Sequence, residues 1–198
     1  MITPRAPASI IDLSFPHHWR AEILSARPLI LPPRHYVYPQ QVEEIERGAL
    51  EVLVKPMADD ETVSVQQFLA TCALGFRDSA VPSGVWTCPN PGELCAVAGG
   101  YAYLIDTTAP EQFTMIPYRP VLEVRALRAA GLLLFVEHRS ILAWGAEGQA
   151  WESGKLSDEG ITALRVENGI LHGRGWQMAT DEEMPFSLDL TSGKTAGF

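Results

Sequence analysis

The sequence predicts an all-β protein, mainly antiparallel, built from a unit of about forty residues that recurs along the chain. Three observations predict it. Gly48, Gly92, Gly131 and Gly169 each open a short apolar run, at spacings of 44, 39 and 38 residues. Each later run is followed by a second run and a turn rich in Gly, Asp, Ser or Pro, the chemistry of tight reversals. Apolar residues alternate over five or six positions in Val121–Arg125 and Ile161–Val166, as they do in half-buried strands.

The elements follow in order. Residues 1–40 hold seven of the fifteen prolines, which prevents long regular elements there, and residues 1–38 read as an extended arm. Its apolar content (Ile10-Ile11, Phe15, Trp19, Leu29-Ile30-Leu31, Tyr36-Val37-Tyr38) is too high for a free tail. The arm is expected to lie on the body or on a partner. Residues 39–47 have a proline near the first helical position, early acids, Val42 and Ile45 three apart, and Gly48 as a stop, which predicts one short helix. Residues 61–74 fit either a helix or a buried strand, and the repeat favours the strand. With no Ser/Gly-rich or charged linker, residues 39–198 read as a single domain.

The first strands of the four units are 49–54, 94–98, 132–136 and 170–172. Second strands are expected at Tyr101–Asp106, Ile141–Trp144 and Phe186–Leu190, and third strands at Phe113–Ile116 and Ala150–Ser153. Fourth strands are placed at Val121–Arg125 and Ile161–Val166. Four antiparallel strands in about forty residues is the size of a propeller blade. The stretch Ser187-Leu188-Asp189-Leu190-Thr191-Ser192-Gly193-Lys194 resembles the strand-turn segment of quinoprotein-type and WD-like β-propeller repeats, and Leu142 to Trp151 is a looser version of it. The resemblance covers roughly residues 90–198 and implies a small or incomplete propeller-like scaffold. It implies no cofactor, because no quinone-site residues accompany it. An open curved stack or a β-sandwich of hairpins satisfies the same pattern.

With 46% hydrophobic and 20% charged residues, the composition is that of a folded globular protein. The net charge of −9 is carried by residues 48–139 (−4) and 140–198 (−5), while residues 1–47 balance. Such a chain repels phosphate backbones, and Arg119, Arg125, Arg128 and Arg139 are interleaved with Glu123 and Glu137, so nucleic acid is not an expected partner. Gly131 to Val136, the most apolar strand, and every other apolar stretch of the chain are far short of a membrane span, so no membrane partner is expected. The N-terminus lacks the basic start and apolar run of a secretory leader. Three cysteines, an odd number, suit a reducing cytoplasm better than a disulfide framework.

Chemistry-bearing residues are few. Cys88 and Cys95 flank a Pro-Asn-Pro-Gly turn, with Cys72 earlier in the chain. Zinc sites use closer pairs, so the three read as core cysteines and no metal is assigned. Counted from the unit glycines, Glu51, Cys95 and His172 share the third position, with Leu134 filling it in the remaining unit. Converging first strands would gather the polar three into a pocket suited to metal ligation or nucleophilic catalysis. Glu137-His138-Arg139 reads as an edge turn or the lip of a cleft, and His138 joins Glu51, Cys95 and His172 as a pocket candidate. No familiar hydrolase, zincin, P-loop or dinucleotide motif is present, and no catalytic residue is assigned. Aromatic residues are the stronger signal, with Trp19, Tyr36, Tyr38, Trp144 and Trp151 as interaction candidates. The expectation is a soluble, non-catalytic module that binds another protein or its own copy. The alternative is a small enzyme, or a metal- or ligand-binding protein, with a pocket near Cys95, His138 and His172.

Overall fold

The computed structural model describes residues 9–39, 42–57 and 66–195. The readings for residues 1–8, for the helix start at 40–41 and for 61–65 lie outside the described residues. Sixteen strands and two short 3₁₀ turns make up the regular structure described, so the all-β class predicted from turn chemistry is the class observed. The chain falls into two compact units, Met1–Pro120 and Val121–Phe198.

The first unit contains two sheets. Its strands are β1 (Ile10–Asp12), β2 (Trp19–Leu24), β3 (His35–Tyr38), β4 (Ala49–Pro56), β5 (Phe68–Ala73), β6 (Gly84–Thr87), β7 (Glu93–Ala98), β8 (Tyr101–Asp106) and β9 (Phe113–Met115). One sheet has the order β2-β4-β5-β3 and the other β1-β6-β7-β8-β9. Alternation sets the core: Leu50, Val52 and Val54 of β4 share one buried cluster with Leu94, Ala96 and Ala98 of β7, along with Trp19, Tyr38, Phe68 and Tyr103. The expected helix is a 3₁₀ turn over Val42–Arg47.

The segment read as an arm supplies three strands. β1 pairs parallel with β6, β3 pairs parallel with β5, and β2 pairs antiparallel with β4. Strands from both sides of residue 38 therefore lie in one sheet, so the boundary expected there falls within a sheet. The two parallel pairs also depart from the expected antiparallel pattern. A parallel pair needs a long connection, and the 71 residues from Asp12 to Gly84 and the 29 from Tyr38 to Phe68 supply it. Proline kept the strands of this segment short without keeping them out of the sheets.

The second unit contains β10 (Glu123–Leu127), β11 (Leu132–Val136), β12 (Ile141–Gly145) and β13 (Gly148–Glu152) as one antiparallel meander. A second sheet is formed by β14 (Ile161–Glu167), β15 (Ile170–Gln177) and β16 (Glu182–Asp189). Leu132, Leu134, Val136, Ile141, Trp151, Leu171, Phe186 and Leu188 share its core.

The expected fourth strands are instead the first strands of the next sheet, since β10 pairs with β11 and β14 with β15. In the order of strands across each sheet, Gly48, Gly131 and Gly169 thus precede the second strand, whereas Gly92 precedes the third, because the parallel strand β1 adds to the edge of its sheet. Gly131 (φ 63°) and Gly169 (φ 78°) make those reversals in the left-handed region, the latter beside Asn168 (φ 50°) as a two-residue hairpin.

Candidate functional site

Glu51, in the middle of β4, faces away from the cluster that Leu50 and Val52 enter, and it is only 6% exposed. A buried carboxylate requires partners. Directly across the ladder, Thr71 of β5 donates its hydroxyl to Glu51 Oε2 at 2.5 Å. His35 of β3 places Nε2 2.9 Å from the same hydroxyl, and Arg27 lies 3.3 Å from His35 Nε2 and 4.0 Å from Glu51 Oε1. Burial is the largest influence holding the His35 pKa below its ordinary value, the Arg27 charge acts the same way, and Glu51 opposes both. Neutral His35 thus completes a run of four polar side chains, Arg27–His35–Thr71–Glu51.

The other residue sharing Glu51's place in the first unit, Cys95, is fully buried. Its partners across the ladder are Trp86 and Leu104. Burial is the main cause that raises the pKa of Cys72, Cys88 and Cys95, with charge on neighbouring Glu51, Glu93 or a second cysteine adding to it. Thiolate is the nucleophilic and metal-binding form, and this environment disfavours it. Among the described residues no group of three His, Cys, Asp or Glu side chains is placed to hold a metal ion.

In the second unit, Leu134 points into the core, whereas in the last sheet it is Leu171 that does so. His172 lies one residue further and faces the other side. The shared third position therefore changes face between these two sheets, as a one-residue slip requires. On its face His172 stands between Arg165 of β14 and Ser187 of β16, with Nδ1 2.8 Å from the Ser187 hydroxyl. His138 is exposed in the turn between β11 and β12. Neighbouring Ser140 donates to Glu137 at 2.9 Å, and Arg139 donates to the Asp158 carbonyl at 3.3 Å.

Four of the five aromatic candidates are core. Trp19 and Tyr38 are each 1% exposed, and Trp144 and Trp151 are each 7% exposed. Each of three also satisfies its polar tip: Trp19 donates to the Glu93 carbonyl, Tyr38 to Pro110 and Trp151 to Leu190, at 2.9, 2.6 and 2.6 Å. Tyr36 is half-buried, edge-on to Phe68, with the Arg34 guanidinium over its ring. The exposed apolar residues are elsewhere. Leu29 and Ile30, in the loop between β2 and β3, are 105% and 89% exposed, although their hydrophobicity alone predicted cover. A cleft of 730 Å³ in the second unit is lined by Leu127, Arg128, Leu132, Trp151, Val166 and Leu190 among others. No sequence signal marked it, because its residues come from both sheets of that unit.

No protein-family model matches the chain, and no curated protein matches it. Similar solved structures include the computationally designed Ika4 protein, at 12% identity over 54% of this chain and 65% of that one, with a TM-score of 0.38. The N-terminal domain of Nup159 is similar at 11% identity over 96% of this chain and 54% of that one, TM-score 0.39. A chain in the S. cerevisiae complex of Dbp5 with Nup159, Gle1, IP6 and ADP is similar at 11% identity over 89% and 53%, TM-score 0.34. The chain spans between about half and two thirds of the length of these structures. Likeness at this level assigns neither fold nor function. Among the described residues no helix is long and apolar enough to cross a membrane.

Proposed function

We propose that the protein is a non-catalytic interaction module that associates with copies of itself through the loop Pro28–Pro33. The observation that carries this reading is the exposure of Leu29 and Ile30, 105% and 89%, with Leu31 at 41%. Pro28, Pro32 and Pro33 bracket the three residues and restrict the loop before it docks, which lowers the entropy lost on binding. Three consecutive exposed apolar side chains are costly in water, and fully burying one gains about 1.5–3 kcal/mol. Each copy also carries a surface of matching chemistry in the 730 Å³ apolar cleft lined by Leu127, Leu132, Trp151, Val166 and Leu190. Against an association cost of at least about 4 kcal/mol, the loop alone supports weak, concentration-dependent contact.

A bilayer would also accept such a tip, but a net charge of −9 opposes approach to anionic lipid. The succession of small sheets supports a propeller-like scaffold for the module, and three buried free cysteines support a reducing, cytoplasmic setting.

The test is light scattering of the full chain between about 1 and 300 μM, the range in which weak interfaces populate. The wild type is expected to gain mass with concentration, and the Leu29→Ser/Ile30→Ser variant to stay monomeric with an unchanged melting curve. A monomer throughout, equal association in the variant, or sedimentation with phosphatidylserine vesicles that the variant loses would each overturn the proposal.

A further inference from the structure

We infer that the last sheet holds a small oxyanion site, for a phosphate or sulfate group, built from Arg165, His172 and Ser187. The three residues stand in one row across β14, β15 and β16, each the ladder partner of the next. They line a concavity of 210 Å³ together with Ala163, Arg174 and Pro185. That volume lies below the roughly 300–1,000 Å³ of sites for drug-sized ligands, so it suits a group rather than a whole cofactor.

The charges fit an anion. Residues 140–198 contain four Lys or Arg against nine Asp or Glu, yet two of those four cations flank this one concavity. Arg174 is already committed: its Nε donates to Glu183 Oε2 at 3.1 Å and its Nη2 to the Glu183 carbonyl at 2.8 Å. Arg165 makes no ion pair among the described residues. Of the nearby acids, Glu183 is held by Arg174, and Asp189 accepts the Thr191 and Ser192 N–H groups of its own turn. Glu167 stays exposed at the end of β14.

Geometry adds a second argument. The ladder between β14 and β15 shifts register between Thr162 and Arg165, and Ala163 within that bulge has φ 53°. A bulge re-aims the side chains beside it, and a non-glycine residue in the left-handed region is held there at a cost. At the other end of the row, Ser187 is only 5% exposed and its hydroxyl is fixed 2.8 Å from His172 Nδ1. The guanidinium, and the one hydrogen that the Ser187–His172 pair does not share between its members, offer donors from neighbouring strands, and a more highly charged phosphate or sulfate gains more from such charge-assisted contacts than a singly charged carboxylate. The Ser187–His172 pair also resembles a nucleophile with its base. No carboxylate among the described residues orients the second ring nitrogen of His172, so the arrangement is one for binding.

The inference is independent of self-association and is tested on the full chain with inorganic phosphate, sulfate and acetate at constant ionic strength. Amide NMR shifts are the readout. Saturable shifts centred on β14–β16 are expected with phosphate and sulfate. They should weaken about tenfold in Arg165→Gln, as the loss of a charge-assisted contact predicts, and be unchanged in Lys155→Gln. Ser187→Ala should weaken them as well, with only the small fall in melting temperature that losing one buried hydrogen bond causes. Absence of saturation, equal binding by Arg165→Gln, or acetate binding as tightly as phosphate would overturn the assignment.

Discussion

Trp19→Ala separates two roles for the same residue. As an exposed interaction anchor, Trp19 would leave stability almost untouched on replacement, since surface substitutions away from special features fall within about 0.5 kcal/mol. In the structure it is 1% exposed, packed in the cluster shared by β4, β5, β7 and β8, with its indole N–H on the Glu93 carbonyl at 2.9 Å. Removing a buried tryptophan costs about 3–5 kcal/mol, a large share of the roughly 5–15 kcal/mol that stabilises a domain. For a chain of this length each kcal/mol shifts the melting temperature by roughly 2–4 °C, so Trp19→Ala is expected to melt roughly 6–20 °C below wild type. Trp19→Phe keeps most of the apolar contact and loses the hydrogen bond, so its loss should be about 1–3 kcal/mol. Thermal unfolding followed by far-ultraviolet circular dichroism measures both. A Trp19→Ala protein that melts within about 2 °C of wild type would refute the argument that the N-terminal segment is integral to the first unit.

Three further outcomes are expected. His35 has a pKa lowered from its ordinary 6.5 by burial and by Arg27, against the opposing Glu51. The unfolded chain therefore binds more protons, so stability from this group is full above 6.5 and falls as pH drops through the folded value. Urea melts between pH 7.5 and 5.5 should show this slope reduced in His35→Gln, and an identical slope would exclude His35 as its source. Gly193 has φ 67°, and a Cβ there would meet the Trp151 ring at 2.5 Å, so Gly193→Ala should cost at least about 1–2 kcal/mol in chemical denaturation. Gly154→Ala, with open space around it, is the neutral comparison, and equal stability of the two would contradict the packing described. Finally, Cys72, Cys88 and Cys95 are buried thiols and should resist a disulfide reagent until the chain is unfolded, when three react. Rapid labelling of the native protein would show that the first unit opens readily.

Class and strand positions were legible because both rest on local chemistry. Tyr101–Asp106 is a strand with the bounds its pattern gives, and three of the four glycines, Gly48, Gly131 and Gly169, precede the second strand of their sheets. A unit counted from the glycine starts one strand late in the last sheet, because Asn168-Gly169 is the two-residue signal that joins β14 to β15 within that sheet. What sequence could not place is whatever depends on pairing across long separations. Nothing local brings His35 to Thr71, 36 residues away, or directs Tyr38 to the Pro110 carbonyl, 72 residues away. His172 was singled out by its spacing from a glycine, but its neighbours Arg165 and Ser187 follow only once the ladder register is known.

The third position after the glycine carries different chemistry in different sheets, and burial explains the division. In the two sheets formed by β6–β9 and β10–β13 the residues there are Cys95 and Leu134, opposite Leu104 and Ala143, and all four are fully or almost fully buried. A charge at such a place would need desolvation with no partner strand to supply donors. In the sheet of β2–β5 the residue is Glu51, and it is tolerated because Thr71 and Arg27 meet it. In the last sheet it is His172, and the slip of register turns it away from the core toward Arg165 and Ser187. A repeated backbone position thus becomes polar only where the adjacent strands contribute hydrogen-bond partners. The sheets carrying those partners are the first and last of the series, which is where binding chemistry should be sought.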